Sequence, residues 1–199
     1  MIAPIRTVFR DAELGLNELD ELVLVGGSSH MPSVRRYISQ SLEQEPAQNS
    51  HPDTAIALGA AICAGMKARC SDIQELVLTD VCPFTLGIAE YNEIDSARDL
   101  MSPIIERNSV LPTSKEGTYY TVVDGQTQID VRIYQGENVY CEDNTLLGSL
   151  SISVPRAPRG EQSIRIRFTY DINGLLEVEV VNKNGEMAHL ILQNKEMTA

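Results

Sequence analysis

Glu75-Leu-Val-Leu-Thr-Asp80 is a short apolar run bracketed by acids, and it separates two different sequence patterns. Before it the spacing predicts helix, strand, helix and helix. After it the spacing predicts seven or eight strands with almost no helical periodicity. Three consecutive large aliphatics at such a junction have two readings of equal weight. Leu76, Val77 and Leu78 form either a linker that docks onto a neighbouring surface or one more strand of the carboxy-terminal domain.

Working toward the amino terminus, Ile2, Ile5, Phe9 and Ala12 recur at helical spacing, and Gly15 is placed to stop that helix. Glu21-Leu-Val-Leu-Val25 reads as a short buried strand. Gly26-Gly-Ser-Ser29 turns the chain, and Pro32 suits the first turn of a helix reaching about Leu42. After a polar loop from Glu43 to His51, Pro52 and Asp53 start a third helix. Ala55, Ile56, Ala60, Ala61 and Ala64 give it a small-residue face that another backbone can approach. Strand–turn–helix order belongs to an α/β layer, yet one strand cannot make a sheet. The first eighty residues therefore read as part of a larger domain.

Toward the carboxyl terminus, period-two alternation dominates. Ile129, Val131 and Ile133 alternate with Gln128, Asp130 and Arg132, while Leu150, Ile152 and Val154 alternate with serines. Ile164, Ile166, Phe168 and Tyr170 alternate with Arg165, Arg167 and Thr169, and Leu176, Val178 and Val180 continue after a turn. This pattern predicts a half-buried antiparallel sheet. A two-residue loop at Asn173-Gly174 would set Phe168 against Glu179, mixing core and solvent residues on one face. An odd-numbered loop avoids that conflict. Ile172-Asn-Gly174, with Gly174 left-handed, pairs Tyr170 with Leu176, Phe168 with Val178 and Arg167 with Glu179.

Composition narrows the function classes. With 199 residues the chain can bury a core, and a hydrophobic share of 43% is ordinary for a globular protein. No apolar run is long enough to span a membrane, and no secretory signal is visible. The net charge is −12, with −5 over residues 1–80 and −7 over residues 81–199. Both halves repel a phosphate backbone, so nucleic acid is not an expected partner. Cys63, Cys70, Cys82 and Cys141 show no Cys-x-x-Cys pair and no histidine at metal-ligand spacing. They read as free thiols in a reducing cytoplasm, with no metal site.

Gly26-Gly27-Ser28, between strand and helix, is a place where backbone N–H groups can meet an anion or nucleotide. Glycine there more often serves turn geometry. Asp53 reads most simply as a helix-start carboxylate. His30, His51 and His189 are far apart, and no hydrolytic triad or paired catalytic carboxylates are evident.

Taken in order, these segments resemble the seventy-kilodalton heat-shock chaperones, the DnaK-like family. Leu22-Val-Leu-Val-Gly-Gly-Ser-Ser-His-Met-Pro32 is similar to the adenosine motif of its second lobe, and Asn49-Ser-His-Pro-Asp-Thr-Ala-Ile-Ala-Leu-Gly-Ala-Ala61 to the helix that comes after it. Glu75–Asp80 resembles the interdomain linker, and Val81-Cys-Pro-Phe-Thr-Leu-Gly-Ile88 the start of the substrate-binding domain. Ile105-Glu-Arg-Asn108, Tyr134-Gln-Gly-Glu137, Ala157-Pro-Arg-Gly160 and Tyr170-Asp-Ile-Asn-Gly-Leu-Leu-Glu-Val178 appear in the family's order. Cys82-Pro-Phe, Ser102-Pro-Ile-Ile-Glu-Arg-Asn108 and Asp171-Ile-Asn-Gly-Leu-Leu-Glu-Val178 look most like the bacterial HscC branch. The likeness covers roughly residues 2–193.

The resemblance implies an α+β chain of two parts. Residues 1–66 would be the end of an actin-like nucleotide-binding domain, and residues 67–80 the linker with Leu76, Val77, Leu78 and Asp80. Residues 81–193 would be a peptide-binding antiparallel β-sandwich, with 194–199 leading toward a helical lid. Gly26, Gly27, Ser28, His30 and Asp53 align with contacts to ATP or ADP, which the family binds with magnesium. They would form one wall of a cleft, and His30 stands where an arginine is usual. The phosphate-binding and catalytic segments of the family precede the matched region, so this stretch is expected to bind no nucleotide and to lack ATPase activity by itself.

By the same resemblance Ile88, Glu90, Tyr91, Tyr119, Val122, Gln126, Ile129 and Val131 would line a cleft for unfolded or extended polypeptide. Tyr91 and Val122 would stand at its arch, with Ile129 and Val131 at its central pocket. J-domain co-chaperones and nucleotide-exchange factors are implied partners. The loop after Tyr91 is longer than in DnaK-type members and carries Glu93, Asp95 and Asp99, an acidic segment expected to favour basic flanks on a bound peptide. Two other expectations stand beside this one. The chain could be half of a split ATPase completed by an upstream lobe. It could instead be a generic β-sandwich recognition module, for which the absence of Trp and the presence of only three Phe argue against a sugar platform.

Overall fold

The computed structural model describes residues 2–47, 51–68, 79–95 and 97–193. The chain divides into two compact units, Met1–Val77 and Leu78–Ala199. The fold is α+β: a helical first unit, then two four-stranded antiparallel sheets.

In the first unit, helix α1 spans Ile2–Asp11 and α2 spans Pro32–Leu42, the latter with the bounds its proline predicts. Helix α1 stops earlier than Gly15. Glu13 takes the left-handed conformation (φ 54°), its N–H bonds the Arg10 carbonyl, and the Leu14 N–H bonds that of Phe9. This paired arrangement satisfies the last carbonyls before Gly15 is reached. Helix α3, Ala55–Lys67, begins two residues after Asp53, whose side chain makes no capping bond to it.

The expected buried strand at Glu21–Val25 is not formed. Among the described residues the segment has no ladder partner, and Val23 and Val25 are about half exposed. A strand needs a neighbour to satisfy its alternate carbonyls and N–H groups. Among the described residues it is met by isolated bonds, Ala47 N–H to the Leu22 carbonyl (2.8 Å) and, just past its end, Gly26 N–H to that of Pro52 (2.8 Å). Helix α3 has no buried residue, and Ile56 and Leu58 are well exposed.

The second unit contains β1 (Leu86–Glu90), β2 (Leu100–Ile105), β3 (Thr113–Tyr120), β4 (Gln128–Gln135), β5 (Thr145–Ser153), β6 (Ser163–Tyr170), β7 (Leu176–Asn182) and β8 (Met187–Leu192). One sheet runs β2-β1-β4-β5 and the other β3-β6-β7-β8. Their inward faces share a single core. Leu86, Ile88, Val131, Ile133 and Ile152 come from the first sheet, and Ile164, Ile166, Phe168, Val178 and Val180 from the second. Period-two alternation thus becomes a two-layer sandwich, because each sheet has one apolar face to cover.

The β6–β7 hairpin has the register that the face-sharing argument requires: Tyr170 opposite Leu176, Phe168 opposite Val178, Arg167 opposite Glu179. Gly174 is left-handed (φ 77°), and the Asp171 N–H bonds the Leu175 carbonyl. The Asp171 carboxylate accepts the N–H groups of Asn173 and Leu175, both at 2.8 Å. Asn182 does the same at the β7–β8 turn, accepting from Asn184 (2.9 Å) and Glu186 (3.0 Å). Asp171-Ile-Asn-Gly and Asn182-Lys-Asn-Gly are thus one turn device used twice.

Two further fastenings fix the strand that carries the site. The Thr85 N–H and hydroxyl both donate to the Glu137 carboxylate at 2.9 Å, tying the start of β1 to the end of β4. Gly87 lies so close to β2 that a Cβ there would sit 2.3 Å from the Ser102 carbonyl oxygen.

Candidate functional site

At one end of the sandwich the two sheets part and leave a cleft of about 800 Å³. All eight residues expected to line a peptide cleft border it: Ile88, Glu90 and Tyr91 on and after β1, Tyr119 on β3, Val122 and Gln126 in the β3–β4 loop, and Ile129 and Val131 on β4. Alternation explains the convergence, since Ile129 and Val131 share the inward face of β4 with Ile133.

Ile129 is half-buried, whereas Val131 is 2% exposed and Ile88 3%. The apolar wall therefore grades from accessible at Ile129 to core at Val131. Ile164 and Ile166 of β6 complete the floor from the opposite sheet. Their alternation is visible in the sequence, but which end of β6 opens into a cleft is not. At the mouth, Tyr91 and Val122 are 43% and 36% exposed. Gln126 sets that loop, accepting the Val122 N–H at 3.0 Å and donating to the Gln128 carbonyl at 2.9 Å.

Polar groups are distributed unevenly. Ser102 of β2 and the Tyr119 hydroxyl are 3.2 Å apart within the lining. Burial, and next to it the negative charge of Glu90, hold the Tyr119 hydroxyl above its ordinary pKa despite the Ser102 bond. Asp130 is held below the usual carboxylate range, chiefly by hydrogen bonds from Ser151 and Gln128. Of the loop acids, Glu93 is paired with Arg159 and Asp99 with Arg132, and Asp95 accepts the Ala97 N–H at 3.1 Å. The loop thus presents less free negative charge than its three acids suggest. Arg159 is a cleft residue that periodicity does not single out, although it lies within the family-like stretch Ala157-Pro-Arg-Gly160. It is delivered by a β5–β6 loop whose backbone is tied to the β3–β4 loop, Arg159 N–H to Asp124 (2.8 Å) and Gly160 N–H to the Thr121 carbonyl (2.9 Å).

In the first unit Gly26, Gly27, Ser28, His30 and Asp53 also come together. Gly26 is left-handed (φ 83°), and a Cβ on Gly27 would have Asp53 Oδ1 as its nearest neighbour at 3.9 Å. Asp53 Oδ2 lies 2.9 Å from His30 Nε2, so this carboxylate serves the turn rather than a helix start. Among the described residues no group of His, Cys, Asp or Glu side chains is arranged to hold a metal ion.

Of the linker residues, Leu76, Val77 and Leu78 lie outside the described residues. Asp80 accepts the Val81 N–H on its carboxylate and the Leu111 N–H on its carbonyl, both at 2.8 Å.

A family model described as Hsp70 protein matches residues 1–198. The chain is 38% identical over 181 residues to the chloroplastic stromal 70 kDa heat shock-related protein of Pisum sativum, and 39% identical over 181 residues to the chloroplastic heat shock 70 kDa protein 6 of Arabidopsis thaliana. Each alignment covers 90% of this chain and 24% of the relative. The stromal protein of Spinacia oleracea is 38% identical, with 29% of its length covered. The chain therefore spans about a quarter of the length of these curated relatives.

Proposed function

The chain belongs to the Hsp70 family, and on that premise we propose that its β-sandwich binds extended apolar segments of unfolded polypeptides in the cleft between β1, β3 and β4. The observation that carries this reading is the convergence of all eight motif-derived residues on one cleft, with an accessible Ile129 above a buried Val131.

The chemistry is that of an extended chain laid along strand ends. Its backbone groups bond to strand edges and loops, and one aliphatic side chain enters the apolar pocket. Burying a leucine contributes roughly 1.5–3 kcal/mol. Backbone hydrogen bonds add about 1 kcal/mol each before ordering costs. Micromolar dissociation, near −8 kcal/mol, is the scale expected of such a site. Neither contribution reads sequence beyond one aliphatic group, so many clients are served.

Fluorescence anisotropy with a labelled Leu-centred heptapeptide tests this. Wild type should bind in the micromolar range, and Ile129→Phe, which fills the pocket, should weaken binding more than tenfold while the circular dichroism of the sheets is retained. Unchanged affinity in Ile129→Phe would sink the reading.

The first unit supports a narrower role. Bare backbone at Gly26 and Gly27, flanked by the His30–Asp53 pair, suits one face of a nucleotide's base and sugar, while the magnesium and phosphate groups would need ligands from elsewhere in a longer protein. Turnover of ATP by this stretch alone is not part of the proposal. The unpaired Glu21–Val25 segment and the exposed face of α3 favour completion by an upstream lobe, and co-expression with such a lobe followed by ATPase assay tests that. Finer parts of the reading are the HscC-type branch, the boundaries 1–66, 67–80 and 81–193, J-domain and exchange-factor partners, and a reducing cytoplasmic setting. The last is supported by Cys63, Cys82 and Cys141 all being unpaired thiols.

A further inference from the structure

The sequence carries two Asn-Gly pairs, Asn173-Gly174 and Asn184-Gly185, each in a hairpin turn of the second sheet. The two turns have the same backbone. In each the glycine is left-handed (φ 77° and 84°), and its N–H bonds the carbonyl three residues back, that of Asp171 (3.2 Å) or Asn182 (3.1 Å). In each, one side-chain oxygen of the residue that opens the turn accepts two backbone N–H groups. The turns differ in the second polar atom of that opening side chain. Asp171 has another carboxylate oxygen, which accepts the Asn173 side-chain amide at 2.9 Å. Asn182 has an amide nitrogen instead, and it donates to the Ser153 carbonyl and the Glu186 carboxylate, both at 2.8 Å. No acceptor remains on Asn182 for the next asparagine. Asn184 is exposed, and among the described residues its side chain has no hydrogen-bond partner.

We infer that Asn184-Gly185 is a self-modification site in the β7–β8 turn, and that Asn173-Gly174, in a turn of the same shape, is protected by Asp171. The reaction is ring closure. The glycine nitrogen attacks the asparagine Cγ, the bond from Cγ to the side-chain nitrogen breaks, and that nitrogen takes the glycine proton and leaves as ammonia. Water then opens the succinimide at either carbonyl, giving aspartate or isoaspartate. Glycine permits the attack because it has no side chain to crowd the approach. The carboxamide must first turn its Cγ toward the glycine nitrogen, so a hydrogen bond that holds it elsewhere opposes the step. Asn173 is held in this way and Asn184 is not. The Asp171 carboxyl, kept below its usual range by the Leu175 N–H and then by Asn173, has no proton to give the departing ammonia. Isoaspartate at position 184 would add a methylene to the main chain between the two N–H groups that Asn182 binds, in the turn whose Asn182 also ties β7 to Ser153 of β5.

The test is timed incubation of the full chain in mildly alkaline buffer, followed by trypsin digestion and mass spectrometry of the amide-to-acid mass gain. Cleavage after Lys183 puts the two asparagines on separate peptides. Asn184 should convert about fivefold faster than Asn173, the factor given by about 1 kcal/mol of barrier, the ordinary net value of one hydrogen bond. Asp171→Asn gives the first turn the amide that the second has, while keeping the oxygen that accepts the Asn173 and Leu175 N–H groups. It should raise Asn173 to the Asn184 rate with the circular dichroism of the sheets retained. In concentrated urea, where neither turn exists, the wild-type ratio should fall to near one. Equal rates at the two asparagines in the folded wild type overturn the inference without any variant. So does a folded Asp171→Asn in which Asn173 stays slow, or a ratio in urea that matches the folded one.

Discussion

Replacing Val131 by alanine separates the two roles that β4 combines. Val131 is 2% exposed, faces the shared core and also forms the inner floor of the cleft. The substitution removes two carbon groups from a site that water does not reach. At about 0.8 kcal/mol per buried carbon the transfer loss is about 1.6 kcal/mol. The cavity adds up to about 1 kcal/mol more where the neighbours cannot close in, and Leu150, the register partner of Val131 on β5, with the Ile88–Ile133 pair further along the strand, leaves little room to do so. The expected cost is therefore about 2–3 kcal/mol. For a unit of this size that lowers the melting temperature by roughly 6–15 °C. Urea unfolding monitored by the far-ultraviolet signal of the sheets measures it, and the slope should stay at the wild-type value. Ile129→Phe should show the opposite balance, with peptide affinity lost and the midpoint little moved, because that side chain is half-buried and cleft-facing. A midpoint shift below about 0.5 kcal/mol in Val131→Ala, with normal slope, would refute the assignment of Val131 to the core.

Two other perturbations probe the close strand contact and the hairpin turn. Gly87→Ala should destabilise the sandwich by about 1–3 kcal/mol and weaken peptide binding, since the added Cβ would meet the Ser102 carbonyl at 2.3 Å and push β1, which carries Ile88 and Glu90, away from β2; a wild-type melting temperature would contradict that close approach. The Asp171 carboxyl is held below the usual aspartate value of 3.8, first by the Leu175 N–H and then by Asn173. A depressed folded pKa gives stabilisation that is complete above the unfolded value and lost as pH falls through the folded one. Asp171→Ala should therefore be less stable than wild type by about 1 kcal/mol at neutral pH, with the gap narrowing only below about pH 3.8 in acid titrations monitored by circular dichroism.

The amino-acid order alone determined a good deal here. Pro32 and the periodicity after it located α2, and alternation identified the strands. The need for facing residues to share a side gave the β6–β7 register without any coordinates. These are local or nearest-neighbour constraints, and they act whatever the rest of the chain does. The family resemblance added the eight cleft residues, because an alignment anchored by motifs on either side carries the alternation of β4 with it.

Everything left to the tertiary structure depended on partners distant in sequence. Glu13 rather than Gly15 ended α1, because satisfying the carbonyls of Phe9 and Arg10 took precedence over residue preference. Glu21–Val25 looked like a buried strand and formed no ladder, since among the described residues Ala47 bonds Leu22 but no strand runs beside the segment. Glu93 and Asp99 are read as free acids until Arg159 and Arg132, 66 and 33 residues away, come within reach of them. By the same folding Ile164 and Ile166 became cleft floor, and Glu90 was left as the acid of the lining with neither a cation nor a hydrogen-bond donor among the described residues. Charge pairing and cavity shape are set by which loops meet, and loop meetings are fixed only when both sheets have packed.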